Sequence, residues 1–538
     1  MSAPQAPDVE NCDVLVVGAG FAGIYTVIKA RSAGLDVRGV EAGSDVGGTW
    51  YWNRYPGARC DVESIDYSYS FDEELQREWV WSERFAAQPE IRAYIAHVAD
   101  KYDVRPHFRF DERVTTARFD ESSARWQVET DTGTRMSARH LVLATGSLSA
   151  PHLPDIPGVD SFAGEVLMTA AWPEGPVDVS GKRVGVIGTG SSGIQSVPIL
   201  AESASHLTVF QRSANYTVPA SNRPFGEDDQ VAIQENYAAR RATSWASSAG
   251  SPHVSHPQEI WDLDEQARLE ALEQRWQEGG VLFAKTFPNQ TIDPAVNDIA
   301  REFAEAKIRS IVRDPQVAED LIPTDHPIGT KRICTDDGYY ATFNRDNVSL
   351  VNLRRTPIVE VTPEGIRTED GLVELDVLVF ATGFDAMTGA VTRIDIVGPR
   401  GESIADAWAD GPVTYLGMTV PGFPNLFALN GPGSPSVLAN MVLTAEQQVN
   451  WMVDLITHCD GAGHTVVEPR RDAANAWFDH VNQAAAATLF PKANSWYMGA
   501  NIDGKTRVFM PYIGGFKRYL DLCDEARDGG YAGFVLGS

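Results

Sequence analysis

Two stretches, CDVLVVGAGFAG at 12–23 and RVGVIGTGSSG at 183–193, decide the fold: each reads as an apolar strand, a glycine-rich turn and the start of a helix. In such a turn the first glycine permits the tight bend, the second lets the backbone approach a pyrophosphate, and the third allows close strand–helix packing. The phosphate then faces the helix N-terminus, whose unpaired N–H groups favour an anion. With 46 glycines in 538 residues, chance alone supplies a GxGxxG roughly 0.3 times in such a chain, so the spacing by itself is weak. Context strengthens it. The run at 14–17 is too apolar for anything but a strand buried on both faces. The strand at 36–40 ends in Glu41, eighteen residues past Gly23, where a carboxylate can hold a ribose hydroxyl and favours a nucleotide with a free 2′-OH on Gly18, Gly20 and Gly23. At the second turn, Gly188, Thr189, Gly190, Ser191 and Gly193 follow a strand at 184–187, and the next strand, at 207–210, ends in Gln211-Arg212. An arginine there suits a 2′-phosphate, so the second nucleotide is expected to be NADP.

Bulk properties narrow the classes. The length allows two to four domains with large cores. The net charge of −28 argues against nucleic acid and anionic membranes as partners. Five cysteines, Cys12, Cys60, Cys334, Cys459 and Cys523, form no CxxC or CxxxxC pair, which leaves neither a zinc site nor a disulfide-reductase centre, and no metal is expected. The opening MSAPQAPDVENC leaves no room for a signal peptide, and no apolar run reaches the length of a membrane span. A cytoplasmic protein, monomeric or weakly homo-oligomeric, is expected.

Further strand-and-turn motifs at 140–146 and 376–383, each ending in Ala-Thr-Gly, mark where the chain changes domain. The Pro-rich LSAPHLPDIPG after the first cannot be helix and reads as an extended crossing. The expected class is α/β, with two Rossmann-like dinucleotide-binding domains and a helical insert. The first domain is drawn from 1–147 and 384–538, the second from 152–224 and 333–380, and the helical subdomain is 225–332. Within the insert, Asp293-Pro294 should cap a helix whose Ile299, Phe303, Ile308 and Ile311 share an apolar stripe until Asp314-Pro315. From Phe384 onward the chain reads as Trp- and Gly-rich loops suited to covering a cofactor.

The stretch GGTWYWNRYPGARCD at 47–61, followed after Val62 by Glu63-Ser64, closely resembles the signature of type I Baeyer–Villiger monooxygenases, flavoenzymes that convert ketones to esters or lactones with NADPH and oxygen. The resemblance runs through both glycine turns, both Ala-Thr-Gly turns, Thr330-Lys331-Arg332 and Asn494-Ser495-Trp496-Tyr497, and spans essentially the whole chain; the cyclohexanone, phenylacetone and acetone monooxygenases are the most similar members. It implies FAD at the first site and NADPH at the second, with Gly48, Thr49 and Trp50 near the flavin and Trp496 toward the nicotinamide nucleotide. One position departs from the pattern. In the linker fingerprint FxGxxxHxxxWP, Phe162, Gly164, Trp172 and Pro173 are in place, while Met168 stands where the family has histidine. That residue lies on the interdomain linker, so the change bears on coupling of domain motion to turnover; read by itself, Met168 is a packing residue.

The implied reaction reduces the flavin with NADPH, forms an anionic C4a-peroxyflavin with O2, and passes through a tetrahedral adduct on the ketone. A fixed positive charge in a water-excluded site would keep the peroxide anionic. Arg332 is the candidate, because a guanidinium cannot lose its proton at working pH, and Asp61 would pair with it. Lys331 and Arg212 would bracket the 2′-phosphate. By resemblance Leu148 and the loop Ser436, Val437 and Leu438 border the ketone pocket, whose aliphatic character predicts a small apolar ketone. Two alternatives stay open: a flavin monooxygenase acting on soft nitrogen or sulfur, and an uncoupled NADPH oxidase or turnover-impaired flavoprotein.

Overall fold

The computed structural model describes residues 9–252 and 254–537; the first ten or so residues, for which the polar sequence predicts disorder, lie largely outside them. The strand Glu10–Val17 sits near the middle of the larger sheet, parallel to Val37–Val40 on one side and Arg135–Leu143 on the other. Val14, Leu15 and Val16 are at most 1% exposed, which is why an unbroken apolar run was needed there. The C-terminal part returns to the same sheet: Asp395–Val397 pairs with Val114–Asp120, and Leu426–Ala428 with Arg135–Leu143. The second sheet is wholly parallel, in the order Val348–Asn352, His206–Gln211, Arg183–Ile187, Val377–Phe380, Glu165–Met168.

Both glycine turns are built the same way. Gly18 adopts φ 104°, and a Cβ there would lie 2.6 Å from the carbonyl oxygen of Ala144; Gly188 adopts φ 110°, with a Cβ falling 2.4 Å from that of Ala381. Each Ala-Thr-Gly turn is therefore the wall against which its glycine turn is pressed. The third glycines are equally constrained, since a Cβ on Gly23 would meet the Gly18 oxygen at 1.8 Å and one on Gly193 the Gly188 oxygen at 2.2 Å.

The two crossings between the sheets run antiparallel to each other and pair through Pro151 and Phe384. His152 N–H donates to Gly383 O, Asp385 N–H to Ala150 O, and the Thr382 hydroxyl to His152 O at 2.6 Å. Residues 225–332 divide their packing three ways. Tyr237 of the helix Glu227–Ala246 joins the core of the first sheet. Phe283, Phe287 and Val296 make a cluster of their own. Ile308, Val312 and Leu321 join the core of the second sheet.

The helix Pro294–Ile311 begins on Asp293, whose carboxylate accepts from the Ala295 N–H, and Asp314 caps the next helix in the same manner. Its fully buried face is Val296, Ala300, Ala304 and Ile308, with Ile299, Phe303 and Ile311 only partly covered. The expected stripe is thus rotated toward the small residues, because alanines let the helix approach its neighbours while larger side chains fill the flanks. The C-terminal part also departs from the loop-rich reading: it carries helices of 22, 16 and 13 residues at Met441–Ala462, Arg471–Ala486 and Phe516–Asp528. The first of these packs against Phe21–Ser32 and is buried nearly all round, which erased the amphipathic period.

Gly193→Ala is expected to destabilise the protein by about 1–3 kcal/mol through overpacking against a backbone oxygen that cannot move aside, read as a lower midpoint in thermal unfolding; Gly190→Ala, whose added Cβ would meet nothing within 4 Å, should leave that midpoint in place.

Candidate active site

A cavity of about 750 Å³ opens between the two sheets. One wall comes from the second glycine turn, Gly188, Thr189, Gly190 and Ser191, with Arg212 and Lys331 beside it; the facing wall comes from Thr49, Trp50 and Asp61, and Leu148, Val437 and Trp496 complete it. Thr189 donates its hydroxyl to Ser213 O at 2.8 Å, fixing the turn to the segment that follows the His206–Gln211 strand. Asn53 Oδ1, Asn215 Oδ1, Ser495 Oγ and Asn501 Oδ1 are buried without a hydrogen-bond partner, and all four residues line this cavity. Each such atom costs about 1–3 kcal/mol unless a partner arrives. Four together, with Gly190 facing open space, fit a wall made to receive a polar dinucleotide. Sequence reasoning gave none of these four a role, although Asn53 and Ser495 fall within quoted stretches, because residue type carries no signal of whether a side chain has a partner.

Among the charged groups, Arg212 has no carboxylate partner among the described residues. Lys331 approaches Asp325 at 3.5 Å, and that carboxylate is shared with Arg354 at 2.6 Å. Burial pulls the Lys331 ammonium below its usual range, with Asp325 opposing. Arg212 and Lys331 therefore stand at one end of the cavity as a free cation and a tethered one.

The first glycine turn is completed by Glu41, whose carboxylate accepts from Ala19 N–H at 2.6 Å and Gly43 N–H at 2.7 Å. Burial raises its pKa, and these two N–H donors hold against the rise. Gly48 lies back to back with Gly20: it adopts φ 53°, and a Cβ on it would come 2.8 Å from the Gly20 Cα. That closeness lets Gly48 and the Gly20 turn form one continuous cradle, which fits a second dinucleotide. Trp50 is 7% exposed and donates its indole N–H to the Tyr67 hydroxyl at 3.2 Å, so it serves as a fixed wall.

Arg332 and Asp61, 271 residues apart in the chain, meet in a two-pronged pair with Nε and Nη2 each 2.8 Å from a carboxylate oxygen. A third donor, Nη1, reaches Val437 O at 2.7 Å. Burial alone would ease the proton off; the Asp61 carboxylate outweighs it and holds the guanidinium above its ordinary pKa. The arginine is carried by the short pairing of Thr217–Pro219 with Cys334–Asp336 and by Asn215, which donates to Arg332 O at 3.1 Å. Asp61 is set by the signature stretch, where Cys60 N–H donates to Ala86 O and Gln88 N–H to Ala58 O. A second cavity, of about 310 Å³, lies on the other side, and the same two residues line both cavities.

The predicted pocket loop divides. Val437 faces the first cavity and Leu438 the second. Ser436 lines neither: it is fully buried and gives its hydroxyl to Asn430 O at 3.0 Å. This corrects its place on the pocket wall, and the reason is local, since a backbone at φ 43° turns that side chain inward. The linker residues line neither cavity. Met168 ends the edge strand Glu165–Met168, pairs with Phe380 and packs half-buried on a cluster containing Phe162 and Phe210; Trp172 joins the core of the second sheet; a Cβ on Gly164 would strike Asp376 O at 2.4 Å.

Residues 12–235 match the family described as pyridine nucleotide-disulphide oxidoreductase. All five cysteines are free and buried, so that match speaks to shared dinucleotide architecture and not to disulfide chemistry. A Baeyer–Villiger monooxygenase of Pseudooceanicola batsensis is 43% identical over 530 residues, 97% of this chain and 96% of that protein. Among solved structures, oxidized steroid monooxygenase bound to NADP is 54% identical with a TM-score of 0.94, covering 98% of this chain and 99% of that one. OTEMO in complex with FAD and NADP is 41% identical with a TM-score of 0.95, covering 98% and 100%. Among the described residues no helix is long and apolar enough to cross a membrane.

Arg212→Ala is expected to weaken NADP+ binding about 10–100-fold, the range of a charge-assisted hydrogen bond at about 1.5–3 kcal/mol, and to leave NAD+ binding unchanged. Calorimetric titration with both nucleotides checks this; equal losses would remove Arg212 from phosphate recognition.

Proposed function

Because the chain belongs to the flavin-dependent Baeyer–Villiger monooxygenases, which insert oxygen beside a ketone carbonyl, we propose that Arg332, oriented by Asp61, is the cation on which that insertion depends here. The observation that carries this reading is the position of the pair: it lies in the wall between a dinucleotide-sized cavity and a smaller, largely apolar one. FAD, bound across the first glycine turn, supplies the activation of O2, and NADPH at the second supplies the reducing hydride. Everything else is the work of the protein's own groups.

Three of the five N–H donors of Arg332 are committed to Asp61 and Val437. The other two remain for the Tyr497 hydroxyl, which sits against it, and for an oxygen anion presented from either cavity. A guanidinium locked by a carboxylate needs no reorganisation when negative charge develops on a substrate oxygen, and in a water-excluded site that preorganisation is worth more than in solvent. Val437, by accepting from Arg332, ties the 436–438 turn to the reacting position, so that the wall touching substrate and the charge stabilising it move together. Leu438 and the apolar lining keep water from the oxygen anion. Arg212 and Lys331 hold the 2′-phosphate, Glu41 the ribose of the other nucleotide, and Trp496 flanks the nicotinamide end. A small apolar ketone and O2 are the co-substrates of this reading, in a cytoplasmic enzyme acting as a monomer or weak homo-oligomer.

Arg332→Ala should lower ester formation about 10²–10³-fold, the usual cost of losing one oxyanion donor, with NADP+ affinity retained; gas chromatography of product alongside titration decides, and undiminished ester yield would refute the role. Met168→His is expected to leave ester formed per NADPH consumed unchanged, because Met168 lines neither cavity and packs on an apolar cluster; a rise in that ratio would give the linker position a part in coupling.

A further inference from the structure

The second cavity is lined mostly by apolar side chains, among them Phe85, Leu282, Ile333, Leu438, Phe490 and Phe516. Its charged groups are, with one exception, already neutralised. Asp61 is held by Arg332. Glu63 is held by Arg84 and Arg240, and Asp66 by Arg240. Polar groups on the wall are committed too: the Asn440 amide donates to Asp66 O at 2.6 Å while its oxygen caps the helix that follows, and the Thr488 hydroxyl donates to Ala485 O. The exception is Lys285, at the end of the short helix Val281–Lys285. It lines the cavity, yet its ammonium has no carboxylate within 4 Å and no hydrogen bond among the described residues. Desolvation, with Arg332 adding repulsion, pulls its pKa below the ordinary lysine range. The Lys285 side chain is exposed, so its ammonium is open to an anion that enters the chamber and has no internal partner among the described residues to give up first.

We propose that Lys285 is a specificity-determining residue that binds an anionic group on the substrate, so that the ketones this enzyme takes best are keto acids: apolar around the carbonyl, which sits at Arg332, and carrying a carboxylate at the far end of the chain. This rests on the reading of Arg332 as the site of ketone oxygenation and deepens it. A cavity of about 310 Å³ is at the lower end of the range for ligand sites, enough for an aliphatic chain leading from one cation to another. The carboxylate would give the Lys285 ammonium the charge-assisted hydrogen bond it lacks among the described residues. Such a group contributes to binding equally in the ground state and the transition state, so its signature is in KM and not in kcat.

The test uses the enzyme loaded with FAD and NADP+ and a ladder of methyl-ketone acids from 4-oxopentanoate to 9-oxodecanoate, each beside its methyl ester, with affinity measured by calorimetry and turnover by ester produced per NADPH. At least one acid should bind tenfold or more tightly than its methyl ester. Lys285→Ala and Lys285→Gln should abolish that difference without changing affinity for the esters, and Lys285→Arg should retain it. In turnover the Lys285→Ala loss should fall on KM for the acid, with kcat within about twofold. Acids and esters binding alike across the ladder, or a Lys285→Ala loss shared equally by both, would overturn the proposal. The oxygenation reading is judged separately: acids that bind through Lys285 but yield no ester would uphold the anion site and bring down the assignment of the ketone to Arg332, whereas ester formation from neutral ketones with no preference for acids would do the reverse.

Discussion

The pairing of Arg332 with Asp61 is the constraint around which the two halves of the molecule are arranged. It joins the signature stretch of the first domain to the segment that enters the second across 271 positions of sequence. An ion pair removed from water is rarely a net source of stability, because desolvation consumes most of the Coulombic gain. What it provides is placement. The two-pronged geometry fixes the guanidinium plane, the bond to Val437 O fixes the turn at 436–438, and the short pairing of Thr217–Pro219 with Cys334–Asp336 fixes the backbone that bears the arginine. Both cavities border this pair, so a charge set there acts on whatever occupies either.

Around that centre the structure tolerates local costs that make sense only with ligands bound. Four cavity-lining residues hold side-chain atoms without partners, Arg212 faces the dinucleotide cavity unpaired, and Lys285 faces the apolar one. The unpartnered buried atoms are unfavourable in the empty protein and would be relieved by an occupant, and the two exposed cations would gain a partner from one. The tolerance is possible because the frame is rigid. Both glycine turns are wedged against the Ala-Thr-Gly turns by contacts a single added carbon would violate, and the crossings between sheets are bound to each other at Pro151 and Phe384. Binding surfaces of this kind are best carried on elements whose own positions are over-determined.

Much of this was legible in the chain because its signals are local. A strand buried on both faces must be continuously apolar, and a tight turn at positive φ must be glycine; the 14–17 and 184–187 runs and Gly18 and Gly188 each satisfy a requirement that three or four neighbouring residues impose. Asp293-Pro294 marked a helix start for the same reason, and Asp314-Pro315 the end of its stripe. The failures share the opposite cause. The stripe on Pro294–Ile311 was read from side-chain size, whereas the buried face is set by which neighbours approach, and Ala300 and Ala304 allow the closest approach. The helix Met441–Ala462 lost its period because other helices surround it. Ser436 was placed on the pocket wall by resemblance, and its own backbone at φ 43° sent it into the core instead.

The sequence by itself determined the two dinucleotide turns, the acid and the arginine that end the following strands and the position of the Ala-Thr-Gly turns, since these depend on residue type at short fixed spacing; the candidacy of Arg332 and Asp61 came from the family resemblance of the segments that carry them. Only the tertiary structure decided that Asp61 and Arg332 form a single two-pronged pair, that Met168 points into an apolar cluster, and that, among the described residues, four polar atoms in one wall lack partners and the single uncompensated charge of the second cavity is Lys285. Those are statements about which groups are left over after all others have been paired, and pairing among residues hundreds of positions apart is settled by packing, which no local pattern encodes.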